Sequence, residues 1–344
     1  MELDLDTFLT VVYCSVDEVY QQLFAPCKPR RPGKQPTLSD SEVLTLTILA
    51  QWQQDRSERA FGAYAARHWR RYFPRLLSQS QFNRRSRDLC GVLCALGPAV
   101  ACRLAQSLGT PAYEVLDGVP VSLMRRCRGD RHRCFGTEAQ VGRGGSDKDW
   151  YSGVKLVTSV NDQGLITGFV VGPANTEERW LAETLLRWRA DPTAPAPRAS
   201  DLADVLPPRD RKRGPRKGPT GPVGLPSGVG QATADMYLGD LGYAGEHWEA
   251  HWAADYGATV LTEALWDGQA EEAALDRQLH GWRQVVEDVN GVLTALLGLA
   301  FPKARTWWGL LTRLAAKVAA CNLLLRFNQD HARPPFAHLN PMTL

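Results

Sequence analysis

The chain has 344 residues, 44% of them hydrophobic and 22% charged, with a formal net charge of +3. This exceeds the roughly 100–200 residues typical of one domain, so two domains, or one interrupted by an insertion, are expected around a sizeable core. Eight cysteines in so long a chain exclude a compact disulfide scaffold, and no run reaches the length of about 18 uncharged apolar residues expected of a membrane span. The alternation of acids and apolar residues in Met1–Thr10 is unlike an export signal. A cytoplasmic protein with reduced core thiols, such as Cys90, Cys94, Cys102 and Cys321, is therefore expected.

Residues 1–105 carry helical rather than strand patterning, and a separate amino-terminal helical domain is predicted there. Ser39 and Glu42 have capping-box spacing ahead of the apolar run Val43–Ala50, which predicts a helix starting near Ser39. Between Arg67 and Arg87 lie seven arginines and no acid, interleaved with Trp69, Tyr72, Phe73 and Phe82. That bias predicts phosphate contacts, with Arg84 and Arg85 as DNA-binding candidates. The plainer alternative is a solvated helix face whose aromatics are core.

From residue 106 the pattern changes to strands and turns. Tyr113–Asp117, Val154–Val160 and Leu165–Val171 read as three strands, the last two joined by a hairpin at Asn161-Asp162-Gln163-Gly164. Asn175 is placed to cap a helix through Trp180–Trp188. A fourth strand at Met236–Asp240, a helix near Gly245–Tyr256, a fifth strand at Ala258–Thr262 and a long terminal helical region complete the expected order. The catalytic segment is thus set at residues 106–330, interrupted by 190–233 and followed by a tail at 331–344. The interruption holds nine prolines and six glycines, with the basic residues Arg211, Lys212 and Arg213, and reads as a flexible DNA-contacting or dimer-clasping arm or as a solvated tether.

Three acids carry the chemistry. Asp117 and Asp240 each end an apolar run, and Glu287 lies in an amphipathic helix whose seam is Leu275, Leu279, Trp282, Val286, Val289 and Leu293. His280, Arg283, Glu287, Asn290 and Thr294 form the adjoining stripe. Carboxylates from separate elements can hold two hard cations about 4 Å apart, which clamp the attacking and leaving oxygens of a phosphoryl displacement. Oxygen ligands favour Mg2+, with Mn2+ as substitute. Each acid also has an ordinary reading: Asp117 in a turn, Asp240 at a helix cap, and Glu287 in a surface pair with Arg283. Asp288 lies about 100° around the helix from Glu287 and leaves the stripe.

Other constellations are weaker. Cys127, His132 and Cys134 supply zinc-type ligands without paired-cysteine spacing, and His247 and His251, four apart beside Trp248 and Trp252, read as helix packing. Residues 121–155 hold eight lysines and arginines against four acids, so Arg125, Arg126, Arg128, Arg131, Arg133 and Lys155 are candidate DNA contacts. Gly142-Arg143-Gly144-Gly145 reads as a mobile loop. Arg283 is a further phosphate-contact candidate.

The stretches Leu116-Asp117-Gly118-Val119-Pro120-Val121, Gly153-Val154-Lys155-Leu156, Gly172-Pro173-Ala174-Asn175, Gly239-Asp240-Leu241-Gly242-Tyr243 and Arg283 with Glu287 resemble the DDE transposases of bacterial insertion sequences. The similarity spans nearly the whole chain, including Leu38–Val43 and His68-Trp69-Arg70. It implies a ribonuclease H-like α/β core, a mixed five-stranded sheet flanked by helices. It also implies two ions held by Asp117, Asp240 and Glu287, cutting at terminal inverted repeats of double-stranded DNA, and joining of the 3′-hydroxyl to target DNA by a homodimer at the bacterial nucleoid. His280 and Thr294 stand where such proteins often carry tyrosine and lysine. The competing expectations are a transposase-derived DNA-binding protein without chemistry, and a ribonuclease H-like nuclease that cleaves without joining.

Overall fold

A computed structural model describes residues 4–28, 33, 36–53, 57–124, 135–136, 138–144, 149–198, 201–202, 228–262 and 270–342. Five helices come first: α1 (Leu5–Leu23), α2 (Asp40–Leu49), α3 (Glu58–His68), α4 (Gln79–Asp88) and α5 (Cys90–Leu108). Their starts follow local chemistry. The Asp4 carboxylate accepts from Thr7 N at 2.7 Å, and Ser39–Glu42 and Ser78–Gln81 form full capping boxes on α2 and α4.

The sheet is mixed and six-stranded: β1 (Glu114–Met124), β2 (Gln140–Gly144), β3 (Asp149–Asn161), β4 (Ile166–Pro173), β5 (Met236–Gly239) and β6 (Thr259–Thr262). β3 lies antiparallel to β1 on one side, and on its other edge pairs with β2 through Asp149–Gly153 and with β4 through Val154–Val160. β5 and β6 extend the sheet in parallel from β1. All five expected strands are present. The hairpin between β3 and β4 closes as its sequence requires: Asn161 Oδ1 accepts from Leu165 N at 2.9 Å, and Gly164 takes φ +83°.

Two local expectations change. Residues up to Gly144 form β2 rather than a mobile loop, and the glycines there and opposite serve close backbone approach. A Cβ on Gly142 would lie 2.2 Å from the Ala174 carbonyl oxygen, and one on Gly153 would lie 2.1 Å from that of Val121. The helix after β4 is α6 (Glu178–Ala190), with Glu177 rather than Asn175 at its N-cap and no side-chain cap bond. Thr176 N donates to the Pro173 carbonyl at 2.9 Å, holding residues 173–176 in a turn outside the helix.

The remaining helices are α7 (Glu246–Tyr256), α8 (Ala270–Gly291), which runs into a π-helical turn at Val292–Leu296, and α9 (Trp307–Asp330). One apolar cluster joins α1, α2, α5, α8 and α9 to one sheet face through Val115, Val119, Val154 and Leu156. The amino-terminal helices therefore share a continuous core with the strands. The other face packs Leu116, Val157 and Val170 against α6 and α7. α5 and α9 are long and apolar enough to cross a membrane by length, but the α9 window is 83% buried within the protein, which fits a core helix. The six described cysteines are all free, with Cys90, Cys94 and Cys321 buried.

Two buried carboxylates fasten these layers. Glu114, fully buried on β1, accepts from Arg189 Nη1 at 2.8 Å, Thr167 Oγ1 at 2.7 Å and Thr233 N at 2.6 Å, so α6, β4 and the chain leading to β5 meet at one group. Glu183 on α6 takes the Trp252 indole at 3.0 Å and the Tyr256 hydroxyl at 2.7 Å, and His251 Nε2 lies 3.0 Å from it. Trp248 and Trp252 pack as core, and His251 is part of this inter-helix clasp rather than a metal ligand.

Candidate functional site

The β1–β5 register places the first two acids together. The strands pair in parallel at Glu114↔Tyr237 and Val115↔Leu238, and β5 ends at Gly239. Carried on by two residues, the register sets Asp117 opposite Asp240, where the strands part. β5 ends here while β1 continues along β3 to Met124, so the two acids flank the point where the parallel pairing stops. Asp240 is fixed by a 2.8 Å bond from Gly242 N to its Oδ1.

A third carboxylate arrives from α6. A Cβ built on Gly118 would sit 2.9 Å from Glu178 Oε1, and one built on Gly242 would sit 2.3 Å from Glu178 Oε2 and 2.8 Å from Asp240 Oδ1. Glu178 is therefore packed against the two glycines that follow the aspartates, facing Asp240. Lys155 Nζ on β3 donates to its Oε1 at 2.9 Å. Lys155 is thus at the site, bound to an acid within it.

The electrostatics match this crowding. Burial pushes the Asp117 carboxyl up to about 6, and the charges of Asp240 and Glu178 add to that rise, while the Gly118 amide and Arg283 oppose it. Tyr243 is fully buried, and its phenol is driven far above the usual range by burial first and then by Glu178, Asp117 and Asp240. Its hydroxyl has no hydrogen-bond partner among the described residues.

Helix α8 supplies a different side chain from the one expected. Asn290 Nδ2 donates to Asp117 Oδ2 at 2.6 Å, and Asn290 Oδ1 is buried without a partner among the described residues. Glu287, one turn earlier, is solvent-exposed, as is Asp288. Val286, Val289 and Leu293 are buried and Trp282 is half-buried against Tyr113, its ring stacked at 5.4 Å, so the seam is as predicted over these residues. The side chain of Leu275 lies outside the described residues. Arg283 is half-buried and near enough to act on Asp117.

Among the described residues no three His, Cys, Asp or Glu side chains stand grouped to hold an ion. The donor chemistry nonetheless suits a hard cation: carboxylate oxygens at Asp117, Asp240 and Glu178, and orphaned polar atoms at Asn290 and Tyr243 that coordination or its water shell would satisfy. Bringing three donors onto one ion requires side-chain rotation.

The other expected contacts divide. Arg84 is exposed, whereas Arg85 is tied to Asp40 at 2.5 Å and to the Leu38 carbonyl at 2.8 Å, in a structural pair. Trp69 and Phe73 are core, and Tyr72 and Phe82 are half-buried against it. Arg125, Arg126, Arg128, Arg131, Arg133, Arg211, Lys212 and Arg213, with Cys127, His132 and Cys134, lie outside the described residues. Glu178 was missed because its place beside Glu177, three residues after Asn175, reads as a helix start. Its sequence signal is the glycine just after Asp117 and the one two places after Asp240. No family model, no curated protein and no solved structure matches this chain.

Proposed function

We propose that this chain is a metal-dependent DNA transposase on a ribonuclease H-like core, cutting at terminal inverted repeats and joining the freed 3′-hydroxyl to target DNA. The observation that carries the reading is the meeting of Asp117, Asp240 and Glu178, from three separate elements, at the parting of two parallel strands. The antiparallel β4–β3–β1 arrangement continued in parallel by β5 and β6 supports that core. Two Mg2+ or Mn2+ ions bound there would supply activation of the attacking oxygen and stabilisation of the leaving one.

The chain's own groups set the rest. Asp117 and Asp240 are the anchoring ligands, and Glu178 is the carboxylate placed to complete them in this arrangement. Glu287, which the resemblance assigns, is solvent-exposed on α8, one turn from Asn290. Lys155 and Arg283 bring positive charge beside the acids, where a scissile phosphate requires it. The substrate is double-stranded DNA, and a homodimer at the bacterial nucleoid would hold paired ends.

The Asn290–Asp117 bond and the exposure of Glu287 favour a second reading, a transposase-derived protein that binds DNA without chemistry. Labelled terminal DNA incubated with Mg2+ separates the two. The proposal expects a strand-transfer product that is lost in Asp117→Asn and Asp240→Asn. Binding with neither cleavage nor joining establishes the second reading, and cleavage alone marks a nuclease.

A further inference from the structure

Away from the acids, a groove of about 720 Å³ runs between α2, α3 and α4 on one side and the Gly298–Thr306 connection and α9 on the other. Among the described residues five cations line it, Arg87, Lys303, Arg305, Arg313 and Lys317, against one acid, Glu58, which Arg313 already engages. Lys317 is unusual among them. It is 5% exposed, in the middle of the largely buried helix α9, and donates to the Leu297 carbonyl. An ammonium retained so deep is costly unless a charge of opposite sign reaches it. Burial, with Arg313 and Lys303 nearby, depresses it to about 7.

The rim differs from the floor. Phe301 is 59% exposed at the groove. A large aromatic face open to water beside clustered cations suits a base that stacks while its phosphates are neutralised, a combination that an acidic peptide would leave half unused. Thr47, Gln51, Asn83 and Ser86 add neutral hydrogen-bonding groups along the wall.

We propose that this groove binds an unpaired DNA strand, with a phosphate drawn towards Lys317 and Arg313, flanking phosphates met by Lys303 and Arg305, and a base stacked on Phe301. A closed duplex keeps its bases stacked on one another and cannot offer a face to Phe301 or enter the groove as a single chain. The groove is lined by residues other than the acid cluster, so its single-strand binding is tested apart from the chemistry; that the strand is DNA rests on the proposed function.

The test uses the full chain in EDTA, so that no metal-dependent binding contributes, with fluorescence anisotropy of a labelled oligothymidylate and of a matched blunt duplex. Lys303→Glu combined with Arg305→Glu changes exposed residues only and is expected to weaken oligothymidylate binding at least tenfold. Phe301→Ala is expected to weaken it about tenfold, the size of one lost stacking contact. Lys317→Met tests the floor, with circular dichroism confirming the fold. The proposal predicts a smaller loss for the duplex in every variant. It is overturned if the charge-reversed and Phe301→Ala proteins bind oligothymidylate like the parent, if duplex and single strand lose affinity equally, or if oligoglutamate competes as well as oligothymidylate.

Discussion

Glu114 and Asp117 lie three residues apart on the same strand, the first fully buried and the second half-buried, and their charged neighbours differ in sign. Burial disfavours the Glu114 carboxylate, but Arg189 and the bonds from Ser159, Thr233 and Thr167 outweigh it and hold the group below its ordinary range. Asp117 is pushed up to about 6 by burial first, with the charges of Asp240 and Glu178 adding to the rise and the Gly118 amide and Arg283 too weak to offset it. Glu114 is satisfied on all sides and binds elements together. Asp117 is left electrostatically strained, and such strain is the usual mark of a group kept for chemistry or for a ligand.

The contrast predicts opposite responses to mutation. Arg189→Met strands the Glu114 charge in the core and should destabilise the protein by about 3–5 kcal/mol in urea denaturation. Removing the Asp117 charge should do the reverse. A carboxyl with a folded value of about 6, against 3.8 unfolded, makes the folded state bind the extra proton between those values. Stability therefore falls as pH rises through that window, and the penalty is complete above about 6. Asp117→Asn in EDTA should accordingly gain about 3 kcal/mol at pH 7.5 and nothing at pH 3.5. A loss of stability at pH 7.5 would place Asp117 with Glu114 as a structural acid.

Smaller effects sharpen the assignment of α8. Asn290→Ala removes a bond to a charged group and should cost about 1.5–3 kcal/mol, whereas Glu287→Gln, at an exposed position, should stay within about 0.5 kcal/mol. In the strand-transfer assay Glu178→Gln should lose more activity than Glu287→Gln. The opposite ranking would return the third ligand to α8 as the resemblance has it.

What could be read in advance follows from the range of the forces involved. Apolar runs bounded by turn signals mark all five expected strands, and Ser39–Glu42 marks a helix start, because those signals are local. The pairing of Asp117 with Asp240 was legible only as two acids ending apolar runs, and the parallel register turns it into proximity. Glu178 and the Glu114–Arg189 clasp were not legible, since each joins residues far apart in the chain and depends on how α6 crosses the sheet. β2 was misread because glycines that permit backbone contact with Ala174 and Val121 look, in sequence, like those of a loop. Glu287 shares a helical stripe with Asn290, and periodicity alone could not say which of the two turns inward.

Equilibrium binding of Mn2+, followed by its paramagnetic resonance signal in the parent and in Asp117→Asn, tests the central claim most directly. The account predicts saturable binding in the parent that is lost on removing the Asp117 carboxylate, together with a rise in thermal stability on adding Mn2+ that only the parent displays. Equal binding by both proteins, or none by the parent, would contradict it.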